Sequence, residues 1–215
     1  MKPSTRIVVF LLASTSIASL LGEMYQLWPM RPFTLGVFLP SCCALVAIAV
    51  YDKLRGHGTM CGLILVGAIS GFAAAVAYDI FRLPFVFSTQ WGLGSVIPPL
   101  PLFKVFPKFG AMILGDADST SLSANVVGWL YHFSNGVTFG IMYAMIINGQ
   151  WRRRWAGAIL FAVGLELAML FTPYPATFGI RVSTLFVVVT LAAHTLFGVT
   201  MGRVSVGLEE WTAKC

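Results

Sequence analysis

Six long apolar runs are distributed along this chain, and they constrain its fold more than any other feature. A helix needs roughly 20 mainly apolar residues to cross the hydrocarbon core of a bilayer. Because 58% of the residues are hydrophobic and only 10% are charged, a water-soluble fold could not bury this much apolar surface. The sequence therefore predicts an all-α, polytopic membrane protein with one domain over residues 1–215. We expect six transmembrane helices in a compact bundle, at about 7–22, 34–51, 59–80, 126–147, 155–171 and 182–202.

The Lys and Arg residues between these runs predict the orientation of the chain, because short cytoplasmic loops retain basic residues. A cytoplasmic N-terminus gives an excess of basic residues inside, so we expect both termini in the cytoplasm. The pattern and small size are typical of a bacterial inner-membrane protein, whose main partner is the lipid bilayer. The inner set is Lys2, Arg6, Lys53, Arg55, Arg152, Arg153, Arg154, Arg203 and Lys214, and the outer set is Arg31, Arg82, Lys104, Lys108 and Arg181.

The first apolar run has a second interpretation. Lys2 and Arg6 precede a short apolar stretch that leads to small residues around Ala18 and Ser19, as in a secretory signal peptide. Cleavage there would leave five helices and an external N-terminus. That arrangement fits the distribution of basic residues less well.

Residues 81–125 form the one long connection, and they are rich in Pro, Gly and aromatic residues. Proline at this density is incompatible with a regular spanning helix. The segment is nevertheless too apolar for a freely solvated linker. We expect an interfacial or re-entrant cap between the third and fourth helices, with Trp91 and the phenylalanines at the level of the headgroups.

Small residues recur at four-residue spacing in three of the predicted helices. Helices that already lie in lipid gain no hydrophobic stabilisation from each other, so close backbone approach contributes much of their packing. These positions predict a compact bundle, and the same helix faces could also form a homo-oligomer or a larger membrane complex. The glycines are Gly67 and Gly71, Gly136 and Gly140, and Gly198 and Gly202.

Ionisable residues within the predicted helices are the candidates for a functional site. A charged side chain at the bilayer centre costs on the order of 2.5–3.5 kcal/mol on insertion scales, so it faces the bundle interior and finds a partner. Glu166 and His194 are the most informative, because nothing near them in sequence neutralises either. We expect one buried polar cluster toward the non-cytoplasmic side. Its predicted members are Glu166, His194, His132, Asn135, Asp79 and Glu23.

Asp79 also has a local interpretation. Arg82 follows it by three residues, a spacing that permits an ion pair along one helix at the membrane interface. That pairing would remove Asp79 from the cluster.

Four hypotheses for this chain remain open, and the first three give the cluster a role. The groups could pair with each other and lock the bundle. In the leading functional hypothesis, a carboxylate and a histidine change protonation during proton- or cation-coupled transport of a small solute or ion, because histidine titrates near physiological pH. Alternatively, His132, Glu166 and His194 bind a divalent Zn, Fe or Mn ion in a membrane enzyme, although the Glu-x-x-His spacing of di-iron bundles is absent. The fourth alternative is a non-catalytic accessory or assembly subunit.

The sequence argues against two other classes of protein. The formal net charge is +6, but the basic residues lie scattered between apolar runs, so nucleic acid is not an expected partner. The chain contains no phosphate-binding loop, no G-x-S-x-G and no H-E-x-x-H motif. Catalysis of the kinds found in soluble enzymes is therefore unsupported, and no cofactor is predicted beyond a possible divalent metal.

Overall fold

The computed structural model describes residues 3–116, 118–148 and 150–212, and all regular elements within these ranges are helical. The predicted all-α class is therefore confirmed. Lys2 and Lys214, which contribute to the predicted orientation, lie outside the described residues. The helices are α1 (Pro3–Met24), α2 (Met30–Phe33), α3 (Leu39–Leu54), α4 (Thr59–Val86), α5 (Val105–Leu114), α6 (Leu122–Ile147), α7 (Trp151–Arg154), α8 (Gly157–Leu170), α9 (Tyr174–Thr177) and α10 (Thr184–Thr212), with a π-helical turn over Thr34–Phe38.

Four of the described helices are long and apolar enough to cross a membrane. They correspond to the first, second, third and sixth predicted crossings, and they give the chain the character of an integral membrane protein. The predicted number of six is not confirmed. The four helices are Pro3–Met24, Met30–Leu54, Thr59–Val86 and Thr184–Glu209.

The other two predicted crossings differ from these four for separate reasons. Helix α6 has 26 residues and is about 39 Å long at 1.5 Å per residue, but Asn135 and His132 make it less apolar. Helix α8 has only 14 residues because Trp155 and Ala156 form a turn before it. Its length of about 21 Å is less than the roughly 30 Å of a hydrocarbon core.

Helices α4 and α6 form a central pair whose contact depends on glycine. A Cβ atom added to Gly67 would lie 2.7 Å from the carbonyl oxygen of Gly140, and one added to Gly71 would overlap the carbonyl oxygen of Gly136. Only a hydrogen atom at these positions allows the two backbones to approach so closely. The glycines of the small-residue motifs in the third and fourth predicted helices therefore lie at the contact between α4 and α6.

Helix α10 packs on α8 and its preceding turn in the same way. A Cβ atom on Gly198 would lie 2.5 Å from the Cα atom of Ile159, and one on Gly202 would lie 2.5 Å from the carbonyl oxygen of Trp155. All six predicted packing glycines thus contact other parts of the same chain. The homo-oligomer or larger complex proposed from the same helix faces stays a prediction.

Two basic residues lie toward one end of the bundle. Arg6, near the start of α1, donates a hydrogen bond to the carbonyl oxygen of Met145 in the last turn of α6. The guanidinium carbon of Arg203, near the end of α10, lies 4.1 Å from the ring centre of Trp155. We call this the basic end. Both termini of the described chain lie toward it.

The segment 81–125 is more helical and more deeply buried than the predicted cap. Helix α4 continues past residue 80 and includes Pro84, whose missing N–H removes only one hydrogen bond of its final turn. Helix α5 then packs on α6, with Phe106 and Phe109 only 3% and 4% exposed. The interfacial cap is therefore not confirmed, and α5 belongs to the core.

Candidate functional site

A cavity of about 410 Å³ lies among α1, α4, α5, α6, α8 and α10. Four predicted site residues line it, namely His132, Asn135, Glu166 and His194. Small-molecule sites usually have volumes of about 300–1,000 Å³ and mainly apolar walls. The cavity therefore has the size for a small organic solute.

Glu166 and His194 form an acid–histidine pair between α8 and α10. Glu166 Oε2 lies 3.3 Å from His194 Nδ1, which also lies 3.0 Å from the carbonyl oxygen of Thr190. Both neighbours of Nδ1 are acceptors, so Nδ1 carries a proton and donates it to them. In a neutral His194, Nε2 is then the ring nitrogen that accepts a hydrogen bond or a proton.

The packing of α8 on α10 explains why these two side chains meet. Ala158 and Ala162 are fully buried, and Glu166 follows them at four-residue steps on the same face of α8. On α10, His194 lies one turn before Gly198, which allows the close approach of the two helices. The pair therefore follows from small residues placed one and two turns away.

Asp79 forms a second acid–histidine pair, and it also binds Arg82. Asp79 Oδ2 lies 2.9 Å from His132 Nε2, whereas Oδ1 accepts a hydrogen bond from Arg82 Nη2. The local ion pair predicted from the sequence is thus present, but it uses only one carboxylate oxygen. It does not separate Asp79 from the histidine.

Arg82 lies in a cage of three aromatic rings and is only 3% exposed. Its guanidinium carbon lies 3.9 Å from the ring centre of Tyr78, 5.0 Å from that of Phe103 and 5.3 Å from that of Phe106. Such rings attract a cation through their quadrupoles, most strongly where water is excluded. A permanent cation is therefore fixed beside Asp79 within the protein interior.

Tyr78 connects the two acid–histidine pairs. Its ring centre lies 4.8 Å from that of His194 and 6.1 Å from that of His132. The sequence alone did not indicate Tyr78, because aromatic residues are common in such a chain. One signal could have found it: Tyr78 precedes Arg82 by four residues, the helical spacing that places a ring against a guanidinium group.

Two buried polar atoms of cavity-lining residues have no hydrogen-bond partner within the described part of the chain. They are Arg82 Nε and Asn135 Oδ1. Buried polar groups are normally paired, since an unsatisfied one costs about 1–3 kcal/mol. One donor and one acceptor beside the cavity are therefore left unsatisfied.

Glu23 does not join this site. Its carboxylate accepts a hydrogen bond from the backbone N–H of Met30, at the start of α2. An acidic group at a helix N-terminus satisfies a free N–H and interacts favourably with the helix dipole. The predicted placement of Glu23 in the cluster is therefore corrected to a helix cap, which the sequence spacing did not reveal.

Within the described ranges, no three His, Cys, Asp or Glu side chains are arranged to hold a metal ion. The predicted set of His132, Glu166 and His194 is split, because His132 pairs with Asp79 while the other two pair with each other. The geometry therefore gives the predicted metal site no support.

No protein-family model, curated protein or solved structure matches this chain. The fold and the site therefore give only a general class for this chain. It is an all-helical chain with the helices of an integral membrane protein. Its interior holds a cavity and two acid–histidine pairs.

Proposed function

We propose that this protein couples proton movement to the passage of a small solute through the cavity, and that Glu166 and His194 bind the proton. One observation carries the proposal. Glu166 is buried on the cavity wall, and its ionic partner among the described residues is a titratable histidine rather than a permanent cation. Coupled transport needs such a group, since its charge must change during the cycle.

The pair can hold one proton on either group without leaving an isolated charge in the interior. One proton can reside on Glu166 beside a neutral His194, or on His194 beside an ionised Glu166, and the pair is formally neutral in both states. Loss of that proton leaves one negative charge at the cavity wall. The titratable and cationic groups around the same cavity are Tyr78, Arg82, Lys104, Lys108, His132 and Tyr174.

We further propose six membrane crossings, with α6 and α8 as the fourth and fifth. The polar groups of α6 are shielded from lipid, since Asn135 lines the cavity and the hydroxyl oxygen of Thr138 lies 2.7 Å from that of Ser16 on α1. Helix α8 is short, and a crossing by such a segment is accommodated by local thinning of the bilayer.

The proposed orientation places the basic end, with Arg6 and Arg203, in the cytoplasm of a bacterial inner membrane. Lys and Arg are retained on that side during insertion. The cavity, which is lined by α5 and the connection before α10, then lies toward the outer face.

Proteoliposomes with a trapped pH-sensitive dye would test the coupling. Inward gradients of Na⁺, K⁺, amino acids, sugars and organic acids are applied one at a time, and the internal pH is recorded. We expect at least one gradient to move protons, and Glu166→Gln to abolish that movement because an amide cannot release a proton.

Asp118→Asn is the matched control, because it removes a fully exposed loop carboxylate and should leave proton movement unchanged. Full proton movement in Glu166→Gln would contradict the proposal. So would a wild-type protein in which no gradient moves protons, and such a result would favour an accessory or purely structural role.

A further inference from the structure

The cavity wall carries more positively charged side chains than carboxylates. Arg82, Lys104 and Lys108 line the cavity, whereas Glu166 is the one carboxylate among its described lining residues. Even when Asp79 is included as the partner of Arg82, three cations face two carboxylates. With neutral histidines the site therefore carries net positive charge, and a low-dielectric wall strengthens its attraction for an anion.

The two lysines reach the cavity from the same side. Lys104 immediately precedes α5 and Lys108 lies four residues later, so both project from one face of that helix. Lys108 Nζ lies 2.6 Å from the carbonyl oxygen of Phe178, to which it donates one hydrogen bond. An ammonium group has three donors, so Lys108 retains donors for a ligand, and Lys104 is exposed.

The remainder of the wall is mostly apolar. Ile17 and Leu20 of α1, Phe139 of α6 and Phe186 of α10 are among the residues that form it. An inorganic anion would gain nothing from these side chains. An organic anion would bury its apolar body against them and place its acid group at the lysines.

We propose that the cavity binds a small organic monoanion, with its acid group at Lys104 and Lys108 beside Arg82. The statement that this anion is also the transported solute rests on the proposed function. A proton on Glu166 or His194 removes one negative charge from the site, so proton and anion strengthen each other's binding by the same factor. The coupling therefore has the sign of proton–anion symport.

Equilibrium binding to the purified protein in lipid nanodiscs tests this inference without any transport. The probes are benzoate, benzylammonium and benzyl alcohol, which share a ring and differ in charge, together with hexanoate. Heat in empty nanodiscs is subtracted. We expect at least one of the two acids to bind about tenfold more tightly than the cationic and neutral compounds, because charge-assisted hydrogen bonds favour the acid.

Lys104→Met should weaken acid binding about tenfold, whereas Lys53→Met, which removes the same charge from an exposed position outside the cavity, should not change it. Both variants should unfold at the wild-type temperature. Equal affinities for the three ring compounds, failure of both acids to bind, or wild-type affinity in Lys104→Met would overturn the anion site.

The coupling between proton binding and anion binding is tested separately, by the pH dependence of acid binding. Benzoate should bind more tightly at about pH 6 than at about pH 8, and Glu166→Gln should remove most of that difference. Tight but pH-independent acid binding to the wild type would keep the anion site and contradict the coupling. Solute-driven proton movement in proteoliposomes, without binding of either acid, would keep the coupling and contradict the anion site.

Discussion

The interior contains two acid–histidine pairs that differ in what else holds the acid. Asp79 contacts His132 on one oxygen and the buried guanidinium of Arg82 on the other. Glu166 contacts His194, which divides its Nδ1 donor between that carboxylate and a backbone carbonyl oxygen. The first acid has a permanent countercharge, and the second has only a countercharge that depends on protonation.

Because of this difference, the two acid–histidine pairs are suited to different roles. A buried carboxylate beside a permanent cation neutralises that cation, and removing the carboxylate would leave the cation unpaired. A carboxylate beside a histidine forms a pair that can hold one added proton on either group. The Asp79 pair therefore stabilises the contact of α4 with α6, whereas the Glu166 pair is suited to proton binding.

The largest effect is expected from Asp79→Asn. This substitution leaves the Arg82 guanidinium buried without a countercharge, so the free energy of unfolding should fall by about 3–5 kcal/mol. A denaturant titration in detergent micelles measures it. The double variant Asp79→Asn/Arg82→Met removes both charges and should recover part of the loss. If the single variant is as stable as the wild type, Asp79 does not stabilise the fold as the countercharge of Arg82.

Substitution of packing glycines should disturb each pair separately. Gly140→Ala pushes α6 from α4, and Gly198→Ala pushes α10 from α8, so each should lower the free energy of unfolding by about 1–3 kcal/mol. Only Gly198→Ala should also reduce solute-driven proton movement in proteoliposomes. Gly164→Ala is the control, because a Cβ atom there would contact nothing within 4 Å. Equal loss of proton movement in both variants would show that the pairs do not act separately.

The smallest effect on stability is expected from Glu166→Gln. Glutamine has nearly the same shape, and its amide oxygen can still accept the hydrogen bond from His194, so the cost should be about 0.5–1.5 kcal/mol. The same titration used for Asp79→Asn measures it. A loss as large as that of Asp79→Asn would mean that Glu166 is also held as a permanent ion, and the contrast between the pairs would disappear.

The sequence predicted the features that follow from composition and helical spacing. Apolar length identified the helices α1, α3, α4 and α10. Small-residue spacing indicated close packing, but it did not indicate that Gly71 would contact Gly136. These signals are local, because both come from residues a few turns apart on one helix. The cost of a polar or charged group in lipid indicated an inward position for His132, Asn135, Glu166 and His194, and these four residues line the cavity.

Pairing between helices could not be predicted in the same way. Asp79 and His132 are 53 positions apart, and no local pattern indicates which acid meets which histidine. The burial of Arg82 was missed because a helix-end cation is expected at an interface, whereas here three rings from two segments surround it. The core position of α5 was missed because its proline-rich flanks argue against a helix.

The most direct test of the account is the protonation of Glu166 itself. Infrared difference spectra of the protein in nanodiscs, recorded between about pH 8 and about pH 5, report the carbonyl stretch of a newly protonated buried carboxyl group. We expect this band, or the ring bands of a protonated imidazole, in the wild type and the loss of either signal in Glu166→Gln, with Asp118→Asn unchanged. A carbonyl band that persists in Glu166→Gln, or a wild type that shows neither this band nor the ring bands of a protonated imidazole, would contradict the assignment of proton binding to the Glu166–His194 pair.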